Sequence, residues 1–170
     1  MKVRSILLRA SAGALLVGSA LVAGGAPVTA GVIACTITGT GAGETLTGTS
    51  AADTICGLGG DDTIQGNGGN DTIYGGAGDD TIAGNGGNDS VDGGTGDDSV
   101  KGNSGGDTLM GRKGTDHLIG GAGGDDLLGG FGHDTLDTTN GTSGNDNANG
   151  GSGTDLCTVD LGDTVSSCEP

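Results

Sequence analysis

Residues 57–83 read GLGGDDTIQ, GNGGNDTIY and GGAGDDTIA, three nine-residue units that follow one another without a gap. The unit continues in frame to Asp137, with Gly at the first place, Asp at the sixth and an aliphatic residue at the eighth. Nine residues are too few to bury a core alone, so successive units must stack on one another. The sequence therefore predicts an all-β solenoid built on residues 57–137.

Two columns of residues define the repeat. The sixth-place carboxylates are Asp62, Asp71, Asp80, Asp89, Asp98, Asp107, Asp116, Asp125 and Asp134, and the eighth-place residues run from Ile64 to Leu136. Less regular units flank these nine and add three weaker candidate ligands, namely Asp53, Asp146 and Asp155. Stacked carboxylates repel one another unless cations lie between them. Because the chain has six basic residues against 22 acidic ones, the pattern indicates bound metal ions.

A second period of 18 residues overlies the period of nine. The fifth place is Asp in Asp61, Asp79 and Asp97 but Asn in the alternating units, at Asn70 and Asn88. This alternation predicts two units per coil, so that odd and even units turn at opposite edges of the stack. The edge with doubled aspartates should hold cations more strongly because it carries more negative charge.

Each unit divides into a turn and a strand. Glycine at the first, second and fourth places suits tight turns, because it tolerates positive φ and close backbone approach. The seventh to ninth places read Thr-Ile-x or Ser-Val-x, which predicts a short strand with the aliphatic residue facing inward. Each coil should then contribute two short parallel strands to one thin core.

These units match the Gly-Gly-x-Gly-x-Asp-x-aliphatic-x nonapeptide, and the chain resembles the repeats-in-toxin, or hemolysin-type calcium-binding, family. The resemblance implies a right-handed parallel β-roll, with Ca²⁺ held between successive turns by the sixth-place aspartates and by turn carbonyls. For the nine regular units, it implies about seven ions. Arg112 and Lys113 depart from the pattern, because they place two positive charges in the turn before Asp116.

Residues 1–30 have the layout of a signal peptide. Lys2, Arg4 and Arg9 precede an apolar run over residues 12–23, and small residues end at Ala30, after which cleavage is predicted. The chain is thus expected to be secreted, and no other segment is apolar enough to span a membrane. Removing residues 1–30 leaves three basic residues against 22 acidic ones, a net charge of −19. Such a charge disfavours binding to nucleic acid.

Four cysteines flank the regular units, with Cys35 and Cys56 before them and Cys157 and Cys168 after them. Three disulfide pairings are possible. A rigid stack would hold its two ends apart, which favours Cys35–Cys56 and Cys157–Cys168. These disulfides would close an N-terminal cap over residues 31–56 and a C-terminal cap over residues 138–170, both with degenerate repeats. Zinc binding by the cysteines is the alternative.

The sequence does not predict an enzyme. Residues 102–106 match a nucleophile-elbow string, but they lie in a repeat turn and not between a strand and a helix. His117 and His133 occupy variable places and are interpreted as surface residues. A calcium-dependent adhesion or matrix module and an ice-binding protein are the alternatives, although the regular Thr and Asn ladder of an ice-binding face is incomplete. The sequence names no protein or polysaccharide partner.

Overall fold

The computed structural model describes residues 33–140 and 145–169. Alternating apolar and polar residues place part of each nonapeptide in an extended strand. Across these residues the chain forms strands, turns and bends, with no helix. The signal peptide predicted in residues 1–30 lies outside the described residues. The segment Cys35–Pro170 forms one compact unit.

The strands alternate between two parallel sheets, so each coil crosses both. The odd sheet contains β1 (Ile37–Thr38), β3 (Thr54–Cys56), β5 (Thr72–Ala77), β7 (Ser90–Thr95), β9 (Thr108–Lys113), β11 (Asp126–Gly132), β13 (Asn147–Gly153) and β15 (Thr164–Ser166). The even sheet contains β2 (Thr45–Thr47), β4 (Thr63–Gly68), β6 (Thr81–Gly86), β8 (Ser99–Ser104), β10 (His117–Ala122), β12 (Thr135–Asp137) and β14 (Leu156–Thr158). The predicted parallel β-roll with two nonapeptides per coil is confirmed.

The register of the strands follows the 18-residue period. Thr63 is paired with Thr81, and Thr72 with Ser90, so equivalent places lie on top of one another in successive coils. After Asp137 the spacing becomes 21 residues, and Leu127 is paired with Ala148. The three extra residues at 138–140 are therefore accommodated outside the ladder, and the frame resumes in register.

The core is a single file of eighth-place side chains between the two sheets. Its buried members are Ile55, Ile64, Ile73, Ile82, Val91, Val100, Leu109, Leu118, Leu127, Leu136 and Ala148. Each aliphatic side chain contributes about 1.5–3 kcal/mol on burial. Seventh- and ninth-place side chains alternate to the outer face, as in Thr63 and Gln65, which are exposed. The eighth-place residues therefore form the apolar core of the part of the chain that the structure describes.

The strands are longer than the predicted three residues. From β4 to β11 they cover six or seven residues, from the seventh place of one unit to the third or fourth place of the next. The second and fourth places take positive φ, as in Gly76 (118°) and Gly78 (125°), but the first place does not. The prediction of positive φ was therefore wrong for the first-place glycine, whose role is close packing.

Two disulfides lie at the ends of the stack. Cys35 is bonded to Cys56, and Cys157 to Cys168, as the sequence analysis favoured over the other pairings. Cys157 also takes an eighth-place position, since it is paired with Leu136 and packs against the core. Among the described residues, no helix has the length and apolar character needed to cross a bilayer.

Candidate metal centre

The sixth-place aspartates form two buried columns, one at each edge of the stack. The even column comprises Asp62, Asp80, Asp98, Asp116, Asp134 and Asp155, each one or two residues before a strand of the even sheet. The odd column comprises Asp53, Asp71, Asp89, Asp107, Asp125 and Asp146, each placed likewise before a strand of the odd sheet. All of these except Asp53 are at most 3% exposed. Burial of carboxylates on this scale requires compensating partners.

One oxygen of each carboxylate has such a partner. The main-chain N–H of Asp80 donates to Oδ1 of Asp98 at 2.8 Å, and the N–H of Asp98 donates to Oδ1 of Asp116 at 2.9 Å. The same bond joins every adjacent pair in both columns, including Asp134 to Asp155 at 2.9 Å across the three-residue insertion. The carboxylates are therefore fixed in orientation, each by the coil that precedes it.

The other carboxylate oxygen, Oδ2, is buried in most of these residues and has no hydrogen-bond partner among residues 33–140 and 145–169. This holds for Asp62, Asp71, Asp80, Asp89, Asp98, Asp107, Asp116, Asp125, Asp134 and Asp155. Burying an anionic oxygen without a hydrogen-bond partner costs free energy. Ten such oxygens at equivalent places in the repeat therefore indicate that cations bind there.

First-place glycines make room for this oxygen. A Cβ added to Gly84 would lie 2.3 Å from Oδ2 of Asp89, and one added to Gly93 would lie 2.4 Å from Oδ2 of Asp98. The same close approach recurs in the other regular units. The invariant first-place glycine of this chain therefore forms the cradle in which Oδ2 lies.

Burial without a counter-charge disfavours the ionised form of these carboxylates. Burial raises the pKa of Asp98 from 3.8 to about 7, and the pKa values of Asp107 and Asp116 to about 6. The main-chain hydrogen bond from the preceding coil opposes this rise, whereas neighbouring carboxylates in the column reinforce it. The pKa is also raised, again mainly by burial, for Asp62, Asp80, Asp89, Asp125, Asp134 and Asp146.

The weaker candidates separate into different environments. Asp155 has an unpartnered Oδ2 like the regular aspartates. Oδ2 of Asp53 instead accepts a hydrogen bond from the N–H of Thr49 at 2.7 Å, and Oδ2 of Asp146 accepts one from the Asn140 amide at 3.0 Å. Only Asp155 of the three therefore has the arrangement of the central units.

Sequence reasoning missed two residues at the C-terminal end. The N–H of Asp146 points to Oδ1 of Asp163 at 3.4 Å, so Asp163 occupies the next position of the odd column. Its signal was present, because residues 163–165 read Asp-Thr-Val, the sixth to eighth places of a unit that lacks glycine at its first, second and fourth places. Asn140 lies in the three-residue insertion at 138–140, to which the repeat pattern does not apply.

The fifth place has one structural role at both edges. The N–H of Asp79 donates to Oδ1 of Asp61 at 3.0 Å, and the N–H of Asn88 donates to Oδ1 of Asn70 at 2.9 Å. Asp and Asn are interchangeable as acceptors in this hydrogen bond. The aspartates add negative charge at the even edge, where they are exposed to solvent.

The two basic residues in the turn before Asp116 do not enter the column. The Arg112 guanidinium forms an ion pair with Asp92 at 2.7 Å on the outer face of the odd sheet, and the Lys113 side chain is exposed. Asp116 keeps the same hydrogen bond to the preceding coil and the same unpartnered Oδ2 as its neighbours. The carboxylate of Asp116 therefore has the same arrangement as its neighbours in the column.

The donor set fits a hard cation. No group of three or more His, Cys, Asp or Glu side chains converges within residues 33–140 and 145–169, so side chains alone cannot complete a coordination shell there. Ca²⁺ takes six to eight oxygen ligands and accepts main-chain carbonyls among them. Stacked aspartates next to glycine-rich turns supply both kinds of oxygen.

Comparison with known proteins agrees with this chemistry. The model of the RTX calcium-binding nonapeptide repeat matches the chain four times, at residues 38–73, 65–100, 101–136 and 137–165. A search of curated proteins found no match. The four family matches together extend from residue 38 to residue 165, which is more than half of the chain. The chain therefore belongs to the RTX calcium-binding repeat family.

Proposed function

We propose that this protein is a secreted calcium-binding β-roll that folds when Ca²⁺ occupies its aspartate columns. The observation that carries the proposal is the set of ten buried, unpartnered Oδ2 atoms at equivalent places. The RTX family matches over the same residues support the choice of Ca²⁺. The proposal assigns no catalytic role to any residue.

Electrostatics explain why binding and folding should be coupled. Successive carboxylates lie about 4.8 Å apart if they follow the spacing of paired strands. Two unit charges at that distance repel by about 3 kcal/mol at an effective dielectric constant of about 20. A divalent cation between two coils replaces this repulsion with attraction to both. Because the unfolded chain has no preformed site, the binding free energy contributes directly to folding.

The proposed ligands are the sixth-place aspartates together with turn carbonyls. Ions would lie between successive coils at each edge, which gives about seven sites for the nine regular units. The apolar core is only one side chain thick, and ordering a glycine-rich backbone is costly in entropy. We therefore expect the calcium-free chain to be largely unfolded at neutral pH.

Several features support an extracellular setting. Residues 1–30 have a signal-peptide layout, and the two disulfides suit an oxidising compartment. Extracellular calcium modules bind in the range of about 0.1–1 mM, which suits a chain that folds after export. We propose that the disulfide-bonded residues 31–56 and 138–170 act as end caps, which protect the open edges of the solenoid.

Circular dichroism of the purified protein with and without Ca²⁺ tests the proposal. We expect a weak, disordered spectrum in excess chelator and a cooperative change to a β-rich spectrum near about 1 mM Ca²⁺. Mg²⁺ at the same concentration is the matched control, because it prefers a smaller, strictly octahedral site and retains its water. A β-rich spectrum in excess chelator, identical to that in Ca²⁺, would falsify the coupling.

A further inference from the structure

The two aspartate columns end differently at the C-terminal side of the stack. In the even column the last member, Asp155, is 1% exposed and its Oδ2 is unpartnered. In the odd column the last buried member, Asp146, is 2% exposed, but its Oδ2 accepts a hydrogen bond from the Asn140 side-chain amide. Six unpartnered carboxylates therefore stack in the even column and four in the odd column.

We propose that the Asn140 amide takes the place of a cation at Asp146 and closes the odd column. This inference rests on the proposed calcium-binding function. Ions between adjacent unpartnered carboxylates then number five in the even column and three in the odd column, or eight in total. The eighth ion lies between Asp134 and Asp155, beyond the nine regular units, and no ion lies between Asp125 and Asp146.

The Asn140 amide occupies two oxygen atoms at once. Its Nδ2 donates to Oδ2 of Asp146 at 3.0 Å and to the main-chain carbonyl of Gly123 at 3.0 Å. Gly123 is the fourth-place glycine of the unit that contains Asp125, so this carbonyl belongs to the turn that faces the gap. Ca²⁺ requires oxygen ligands at about 2.3–2.6 Å, so an ion bound to both of these oxygens would compete with the amide that already donates to both.

The three-residue insertion brings Asn140 to this position. Its main-chain N–H donates to Oδ2 of Asp160 at 2.8 Å, and the turn before it is held by the N–H of Thr139, which donates to Oδ1 of Asp137 at 2.9 Å. Two contacts from different parts of the chain thus fix the backbone on either side of residue 139. The insertion therefore positions a side-chain amide against a column carboxylate. Oδ2 of the regular sixth-place aspartates has no such donor among the described residues.

At the opposite edge, no side-chain amide of the described residues donates to Oδ2 of Asp134 or Asp155. Although Asp134 and Asp155 are 21 residues apart, the N–H of Asp134 still donates to Oδ1 of Asp155 at 2.9 Å, as in the regular coils. Both residues are 1% exposed and both have an unpartnered Oδ2. The even edge thus repeats the central arrangement once more, and the insertion alters only the odd edge.

Ion counting on the purified protein by native mass spectrometry tests the inference. We expect eight Ca²⁺ ions per wild-type chain, and nine in Asn140→Ala, which releases Oδ2 of Asp146. Asn145→Ala is the matched control, because Asn145 also donates to the Gly123 carbonyl but not to Asp146. This control should keep eight ions. An Asn140→Ala variant that binds the wild-type number overturns the inference.

A second pair of variants covers the case in which Asn140→Ala does not fold. Asp155→Asn should lose one ion, whereas Asp146→Asn should lose none, although both are buried column members near the same end. Equal losses in the two variants would contradict the closure of the odd column. A wild-type chain that binds no Ca²⁺ would instead refute the proposed function, so the two failures are distinguishable.

Discussion

The even and odd columns are alike in the middle of the stack and differ at its C-terminal end. In the central coils both present a buried carboxylate with Oδ1 fixed and Oδ2 unpartnered. At the C-terminal end the odd column is closed by a protein donor at Asp146, whereas the even column continues to Asp155. The comparison teaches that the repeat provides each ligand, and that residues outside the repeat decide how many ligands remain available.

Removing two adjacent carboxylates should have the largest effect on either column. Asp80→Ala with Asp98→Ala destroys three gaps of the even column, and Asp89→Ala with Asp107→Ala destroys the three gaps of the odd column. We expect each double variant to raise the calcium midpoint of folding by about tenfold or more, since each lost ion removes binding free energy from folding. Circular dichroism titration measures the midpoint.

The matched control for these variants changes fifth-place aspartates instead. Asp79→Asn with Asp97→Asn removes two exposed charges from the even edge but keeps the acceptor that Asn provides at the odd edge. Its midpoint should rise by less than that of the buried pairs, because the ion-facing oxygens remain. If the sixth-place double variants leave the midpoint unchanged, those aspartates are not ligands.

Filling the cradle of a single carboxylate should have the next largest effect. Gly93→Ala in the even column and Gly84→Ala in the odd column each place a Cβ within 2.4 Å of Oδ2. We expect a loss of about 1–3 kcal/mol in the free energy of unfolding in Ca²⁺, as for other overpacked sites. Urea denaturation in saturating Ca²⁺ measures this free energy.

Gly86→Ala is the control for the cradle variants, because its added Cβ would meet nothing closer than 3.6 Å and its φ is not positive. It introduces the same methyl group at a third-place position that does not face a carboxylate. If Gly86→Ala and Gly84→Ala lower the free energy of unfolding equally, the loss reflects the replacement of glycine within the strand and not the filling of the Oδ2 cradle.

Acid should partly replace calcium in both columns. The folded pKa of Asp98 is about 7 and those of Asp107 and Asp116 are about 6, all above the usual 3.8 of the unfolded chain. The folded state thus binds more protons than the unfolded state between about pH 4 and pH 7, so its stability falls as pH rises through this range. The stabilisation is complete below 3.8 and is lost above the folded pKa.

The pH experiment is circular dichroism in excess chelator. We expect more β-structure at about pH 5.5 than at about pH 7.5, because protonated carboxyl groups no longer repel one another. Asp98→Asn should reduce the difference more than Asp53→Asn, because Asp53 is hydrogen-bonded to Thr49 and its pKa is lowered. A calcium-free protein that is more stable at the higher pH would contradict the burial of ionisable carboxyl groups.

The smallest expected effect distinguishes the turns of the two sheets. The second place is Asn85 in the even sheet, with φ of 81°, where the odd sheet has Gly76 and Gly94. Asn85→Ala should cost about 1 kcal/mol because alanine disfavours the left-handed conformation, whereas Asn85→Gly should be nearly neutral. Thermal unfolding in Ca²⁺ compares the two variants, and a cost shared by both would indicate loss of an Asn side-chain contact.

Much of the architecture was predictable because the period fixes the register. The 9- and 18-residue periods predicted strand pairing between units 18 residues apart, the eighth-place core and the alignment of the aspartates at the two edges. Their burial was not predicted. Strand length was not predictable from the pattern, because Asn and Gly at the second place read as turn residues. In the structure they adopt positive φ and still lie within the strands.

The ends were the hardest part to predict. The unit of Asp163 lacks glycine at its first, second and fourth places, and the position of Asn140 depends on the path of an insertion that the repeat does not define. The disulfide pairing was favoured only by the distance between the ends of the stack. The number of sites therefore depends on residues that depart from the repeat, and the repeat pattern alone does not predict their positions.

The hydrogen bond from each aspartate N–H to the next carboxylate gives the stack a direction. Oδ1 of Asp62 depends on the N–H of Glu44, and Oδ1 of Asp71 on the N–H of Asp53. Loss of the N-terminal coil would thus leave the next carboxylates without this donor, whereas loss of the last coil would leave the Oδ1 hydrogen bonds of the remaining carboxylates intact. Each carboxylate is therefore oriented by the coil on its N-terminal side.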